Sequence, residues 1–314
     1  MKGDNMLNLC FQNGILFYAR FVSVLLVFVM FGCQSGKTDK ASSPVKDFTD
    51  ELAAGADTET IAKHLIKVRK EVGVTRALAL HYPNLDTDTA YKIQMTMLSM
   101  LEKQGERVAG WKMGGSQVTD PSKPFQPVFG FMLASYECPS GGTVSASKFV
   151  GGSPLMEAEV GFQLKQDLPG PTVSREELLA AIDSVGGFSE LISIRVKDAK
   201  GGTKATLAQS IADGLANGGF IQPMHKYALD KIDLSKVKAQ VDINGQVKAT
   251  GDSQGFKFID ALLYLANSLP KYGRHLRAGD IVITGSMLTP PPAKAGDHVE
   301  IKFSTFDPLS ITFK

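Results

Sequence analysis

The spacing of apolar residues changes period along the chain. From Asp57 to Val72, Ile61, Leu65 and Val68 recur three and four residues apart, and from Thr87 to Gln104 the series Ile93, Met97, Leu98, Leu101 does the same. That spacing places each series on one face of a helix, so two amphipathic helices are predicted. Met95, Met97 and Met100 fall within the second and are read as core filler rather than metal ligands, because a thioether packs well into irregular gaps. From Val108 onward the period becomes two, with glycine and proline clusters between short runs. Met156 to Leu164 alternates, so Met156, Ala158, Val160, Phe162 and Leu164 share one strand face and Glu157, Glu159, Gly161 and Gln163 the other. Ser174-Arg-Glu-Glu177 is a capping box opening a helix to about Val185, and Phe188 to Val196 reads as the next strand. Val237 to Ile243, the turn Asn244-Gly245 and Gln246 to Thr250 form a predicted hairpin. A helix from Phe256 to Leu269 stops at Pro270, and Ile281 to Thr284 and Val299 to Phe303 complete the strands. The pattern predicts an α+β chain with a helical N-terminal region ahead of a strand-rich body.

The N-terminus follows a third pattern. Phe21 to Gly32 is apolar except for Ser23, follows Arg20 and closes on Cys33. It is shorter than the ~20 residues a spanning helix needs and matches the apolar region of an export signal. Gly32-Cys33 before a polar run resembles a bacterial lipoprotein cleavage site, although Met30 and Phe31 stand where smaller or branched residues are usual. The expectation is therefore a signal peptide at 1–32, a lipid on Cys33 anchoring an exported protein to the cell envelope, and a flexible tether at 33–56 rich in Ser, Lys, Asp and Gly. A helical region at 57–106 and a main domain at 107–314 follow.

Composition narrows the ligand classes. With 314 residues, 43% of them hydrophobic, the chain can bury a sizeable core. Its 34 basic and 32 acidic residues nearly cancel, which excludes the broad positive field of a nucleic-acid binder. Cleavage after Gly32 would remove Cys10 and commit Cys33 to lipid, leaving Cys138 with no partner and no disulfide framework. Function must then be read from local clusters.

The clearest cluster is acidic. Glu157 and Glu159 project from one strand face with no basic neighbour on it, and two held carboxylates need a cation, a shared proton or open water. Taken alone the pair also fits a solvated face. Glu190 adds a third carboxylate beside Leu191, Ile192 and Ile194, in an element whose burial makes an isolated charge costly. Three carboxylates with waters suit Mg²⁺ or Mn²⁺, whereas no His or Cys cluster has the spacing of a zinc site.

Five segments, in order, carry a resemblance. Gly110-Trp-Lys-Met-Gly114, Glu157-Ala-Glu-Val-Gly-Phe162, Glu190-Leu-Ile-Ser-Ile-Arg195, Ser210-Ile-Ala-Asp213 and Ala278-Gly-Asp-Ile-Val-Ile-Thr-Gly-Ser286 resemble the 2-oxopent-4-enoate hydratase and 4-oxalocrotonate decarboxylase branch of the fumarylacetoacetate hydrolase superfamily. Asp88 to Gln94 is also similar, and the likeness spans about residues 57–314. It implies the superfamily's mixed β-roll at 107–314, with a small helical region packed over it, and commonly a homo-oligomer. It implies Glu157, Glu159 and Glu190 as metal ligands that bring a small 2-oxo acid or dienoate to the ion. Lys112 is implied as the proton-handling or carboxylate-binding group, with a proton affinity lowered by burial near a cation.

Arg195 is a candidate for a bidentate pair with a carboxylate, the alternative being an outward strand-end residue. Ser286 sits in a Thr-Gly-Ser turn whose hydroxyl and N–H groups are candidates for facing substrate, the alternative being a plain turn. Gly114-Gly-Ser116 allows close backbone approach to an anion. His64 and His81 read as a surface and a loop histidine, so no His-Glu pair for hydrolytic water is found. Two departures stand out: Ser193 occupies a position where the branch has Asp, and Gly214 one where it has Asn. They leave the reaction open between hydration, decarboxylation of an oxalocrotonate-like diacid and acylpyruvate C–C hydrolysis, with a lipid-anchored, non-catalytic binder of small oxo acids as the reading from another class.

Overall fold

The computed structural model describes residues 44–314. Asp57 accepts a hydrogen bond from the Thr60 N–H and opens α1 (Thr58–Lys70); after the short α2 (Ala77–His81), Asp86 does the same through Thr89 for α3 (Thr87–Lys103). The predicted stripes of α1 and α3 are buried against each other and the core, with Met95 and Met97 inside and Met100 packed beside them. His81 ends α2 and is exposed.

Two expectations change here. The stretch assigned to a tether is folded in its described part: Phe48, Thr49 and Leu52 are buried, the Phe48 N–H donates to Val74 and the Val74 N–H to Lys46. Two large apolar side chains within five residues favour joining the core over remaining in water. His64 is buried rather than at the surface, with its ring 2.9 Å from Thr75 Oγ1, and burial lowers its pKa. The signal peptide and Cys33 lie outside the described residues.

The strand-rich body contains β1 (Val108–Gly114), β2 (Val128–Leu133), β3 (Gly142–Val144), β4 (Leu155–Met156), β5 (Glu159–Leu164), then α4 (Arg175–Ala181) and β6 (Ile182–Ile192). It continues through α5 (Leu207–Ala212), β7 (Asn217–Ile221), β8 (Lys238–Ile243), β9 (Gln246–Asp252), α6 (Phe258–Ser268), β10 (Ile281–Ile283), β11 (His298–Phe303) and β12 (Leu309–Phe313). One sheet runs β2-β1-β10-β5-β6-β4 with β7 also on β6, and a second runs β3-β12-β11-β8-β9. Both are mixed, because β1 pairs parallel with β10 and β12 parallel with β3 among otherwise antiparallel neighbours. This is the α+β, mixed β-roll architecture expected.

Boundaries moved where tertiary pairing outweighed local signals. The capping box forms at Ser174 and Glu177, but the helix stops at Ala181, since Ile182 is already extended and pairs with Leu164. The strand thus starts six residues before Phe188 and ends at Ile192. The run from Met156 to Leu164 is divided at Glu157 and Ala158. The hairpin forms as read, with Asn244 and Gly245 both at positive φ.

Candidate metal centre

Strand register builds the acidic site. Leu155 pairs with Ile192 and Met156 with Leu191, while Glu159 pairs with Phe188 and Val160 with Gly187. The register is therefore the same on both sides of the break, and Glu157 falls opposite Glu190. The Glu157 N–H donates to the Glu190 carbonyl at 2.9 Å, and Ser189 Oγ donates to the Glu157 carbonyl at 2.6 Å. Residues facing each other on an antiparallel pair share a face about 5 Å apart, where like charges are unfavourable. Carboxylate oxygens of Glu157, Glu159 and Glu190 all lie within 4.8 Å of one another, with Glu159 and Glu190 fully buried and Glu157 partly so.

The fourth charge comes from β1. Lys112 is in register with Ile283 of β10, which is in register with Gly161 of β5, so its side chain emerges on the glutamate face. On that face Phe188 lies over Gly161, where any Cβ would sit 2.3 Å from the ring; only glycine leaves room. Lys112 Nζ is 2.8 Å from Glu190 Oε2 as an ion pair and donates to the Leu215 carbonyl at 3.2 Å. The other oxygen of Glu190 accepts from Asn217 Nδ2 at 2.8 Å. Glu159 Oε2 accepts from the Gly285 N–H at 2.6 Å, and its Oε1 is buried with no donor.

Electrostatics follow from this packing. Burial, then the charges of Glu157 and Glu190, push Glu159 well above the usual carboxylate range. Burial pushes Glu190 up to about 7 despite the opposing pull of Lys112. Burial by itself would lower Lys112, but the three carboxylates, Glu190 foremost, outweigh it and hold the ammonium above its ordinary value. Lys112 is thus a charged counter-ion of Glu190; the lowered proton affinity expected of it refers to a lysine beside a bound cation. One ammonium against three carboxylates leaves an excess of negative charge, and the donors are all hard oxygens. That set, with an orphaned buried oxygen, fits a divalent ion of the Mg²⁺ class.

The remaining candidates take other places. Arg195 finds its bidentate carboxylate inside the protein: Nε lies 3.1 and 3.0 Å from the two oxygens of Asp213, and Nη2 donates to the Asn217 carbonyl at 3.0 Å. Arg69 donates to the same Asn217 carbonyl at 3.0 Å and to the Asp213 carbonyl at 2.6 Å. Two buried guanidiniums therefore fix the backbone of the residue whose amide holds Glu190. Ser286 Oγ donates to the Leu288 carbonyl at 2.9 Å, closing the turn that presents Gly285, at φ +98°, to Glu159. Ser193 Oγ accepts from the Val150 N–H.

Sequence reading missed Asn217, Arg69 and the carbonyl of Leu215. Asp213 lies in the Ser210-Ile-Ala-Asp213 segment that carries the resemblance, but nothing in spacing marked Asn217. Leu215 and Ala216 are consecutive non-glycine residues at φ 55° and 60°, a strained pair held beside Lys112.

Residues 101–314 match the family described as fumarylacetoacetate (FAA) hydrolase C-terminal. A 2-hydroxyhexa-2,4-dienoate hydratase of Comamonas testosteroni is 31% identical over 259 residues, 81% of this chain and 97% of its own. A 2-oxo-hept-4-ene-1,7-dioate hydratase of Escherichia coli is 28% identical over 259 residues, 81% of this chain and 96% of its own. The solved 4-oxalocrotonate decarboxylase from Pseudomonas putida G7, complexed with magnesium and adipate, superposes with a TM-score of 0.74 at 24% identity, covering 83% of this chain and all of its own.

These relatives overturn the expected export and lipid anchoring. They are enzymes matched over nearly their whole length, which leaves their chains no room for a leader and tether beyond the shared body. Among the described residues no helix is long and apolar enough to cross a membrane. Matched over more than half its length and 31% identical to a hydratase, the chain belongs to the fumarylacetoacetate hydrolase family, in the branch of dienoate hydratases and oxalocrotonate decarboxylases.

Proposed function

We propose that the protein is a divalent-metal-dependent lyase of the hydratase type, acting on a short 2-hydroxydienoate or its 2-oxo tautomer. The observation that carries this reading is the convergence of three carboxylates within 4.8 Å, one with a buried oxygen lacking any donor. Glu157, Glu159 and Glu190 would hold the ion, Mg²⁺ or Mn²⁺, which would supply a Lewis acid to the 2-oxo acid.

The chain's own residues do the rest. Gly285 N–H and Asn217 Nδ2 fix one oxygen each of Glu159 and Glu190, which keeps the others turned toward a shared point. The Lys112 ammonium, 2.8 Å from Glu190, is placed to give and recover a proton at the substrate. Proton balance is simple for a hydroxypentadienoate. The enol O–H proton is lost and C5 gains one, then water oxygen bonds to C4 as C3 takes a proton, yielding a 4-hydroxy-2-oxo acid. Arg195 acts as a positioning residue through Asn217, and Ser286 by shaping the turn that offers Gly285.

An ultraviolet assay with 2-hydroxypenta-2,4-dienoate tests the reading. Loss of diene absorbance should require Mg²⁺ or Mn²⁺ and stop with EDTA. Metal-dependent affinity without product would instead support a binding protein, and turnover of a 4-oxalocrotonate-type diacid alone would support a decarboxylase.

A further inference from the structure

A second cavity, of about 550 Å³, lies beside the clamp formed by Arg69 and Arg195 and includes none of the three glutamates. Ser193 and Phe149 line it, and Lys148 and Lys314 stand exposed at its edge. Its charges do not balance. Arg69 and Arg195 are both buried yet share one carboxylate, that of Asp213. Among the described residues Arg69 Nε is buried with no hydrogen-bond partner, and neither Lys148 nor Lys314 forms an ion pair. The wall carries five cationic side chains, Arg69, Lys70, Lys148, Arg195 and Lys314, against the carboxylates of Glu106 and Glu137, with Asp213 behind the arginines. The two guanidiniums differ: burial first, and then the like charge of Arg69, lower Arg195, whereas Tyr136 and Asp213 hold Arg69 above its ordinary value despite its burial.

A buried guanidinium without its full share of negative charge is costly unless an anion reaches it. Phosphate would leave the partly exposed apolar surface of the cavity, at Val72 and Tyr136, without a partner. We infer that this cavity binds a small organic carboxylate, its anionic head drawn by the two guanidiniums and the unpaired lysines and its apolar body resting on Tyr136. Occupancy lies one residue from the glutamate cluster, because Arg69 and Arg195 both hold the Asn217 carbonyl.

The test uses the full chain freed of metal by EDTA, titrated calorimetrically with benzoate and, separately, with inorganic phosphate. Ser193 and Lys148 line the second cavity and lie outside the glutamate cluster, so their variants assign the uptake to that cavity and the outcome is independent of the lyase reading. Benzoate should saturate one site, with phosphate much weaker. Ser193→Asp places a carboxylate beside Arg195, able to keep the Val150 N–H, and should weaken benzoate by at least roughly tenfold. Lys148→Glu changes an exposed residue and should weaken it several-fold even if the first variant fails to fold. Absence of benzoate binding, preference for phosphate, or affinity unchanged in Lys148→Glu and in folded Ser193→Asp would overturn the inference.

Discussion

Glu157 and Glu190 face each other across an unbroken antiparallel register, tied by the Glu157 N–H donating to the Glu190 carbonyl at 2.9 Å. A sheet avoids placing two carboxylates in that relationship, and here a third, Glu159, joins them on the same face. Lys112 offsets only part of the charge. The site therefore holds electrostatic stress that a divalent cation relieves, and the first consequences concern stability.

Replacing Glu159 with Gln removes one of three crowded carboxylates. The metal-free variant should melt several degrees above the parent, while the gain in melting temperature on adding Mg²⁺ or Mn²⁺ should largely vanish. Thermal unfolding with EDTA and with excess metal checks both; a lower metal-free midpoint would contradict the repulsion argument.

The pH dependence has a definite sign. Glu159 is raised and Glu190 stands at about 7, so the metal-free folded state holds protons that the unfolded state releases above the ordinary carboxylate range. Stability from these groups is present at low pH and is lost as pH rises from about 4.5 through 7. Metal-free protein should lose several degrees of melting temperature across that window relative to Glu159→Gln, and metal should restore more at pH 8 than at pH 5. A parent whose metal-free stability tracks the variant's at every pH would refute this.

Lys112→Met separates proton handling from metal binding. The ammonium competes with a cation for Glu190, so Mn²⁺ affinity measured calorimetrically should be kept or improved. The kcat on the dienoate should fall by roughly 10²- to 10⁴-fold. A kcat within threefold of the parent would remove Lys112 from the chemistry.

Asn217→Ala leaves Glu190 Oε1 without its donor and should lower metal affinity roughly 10- to 100-fold. Arg195→Lys, which cannot keep both the Asp213 pair and the Asn217 carbonyl, should move affinity the same way by a smaller factor. Equal metal affinity in both variants and the parent would show that the clamp does not position the ligand.

Much of this was legible in the chain. Period-3.6 stripes located α1 and α3, period two put Glu157 and Glu159 on one face, and the capping box and Asn244-Gly245 marked a helix start and a hairpin. Those features depend on residues close in sequence, where backbone geometry alone decides which side chains share a side. The folding of Phe48 and Leu52 onto the core, the burial of His64 and the early end of α4 were not legible, because each was settled by a distant partner: Val74, Thr75 and Leu164 respectively.

The sequence by itself determined that two carboxylates must share a strand face and that a third sits in an apolar element. Only the tertiary structure decided that Glu190 lies opposite Glu157, that Lys112 is its counter-ion and that Arg195 serves Asp213 and Asn217 instead of pointing outward. Register and the parallel pairing of β1 with β10 are relations between remote segments, and a one-residue slip would turn these side chains to the other face.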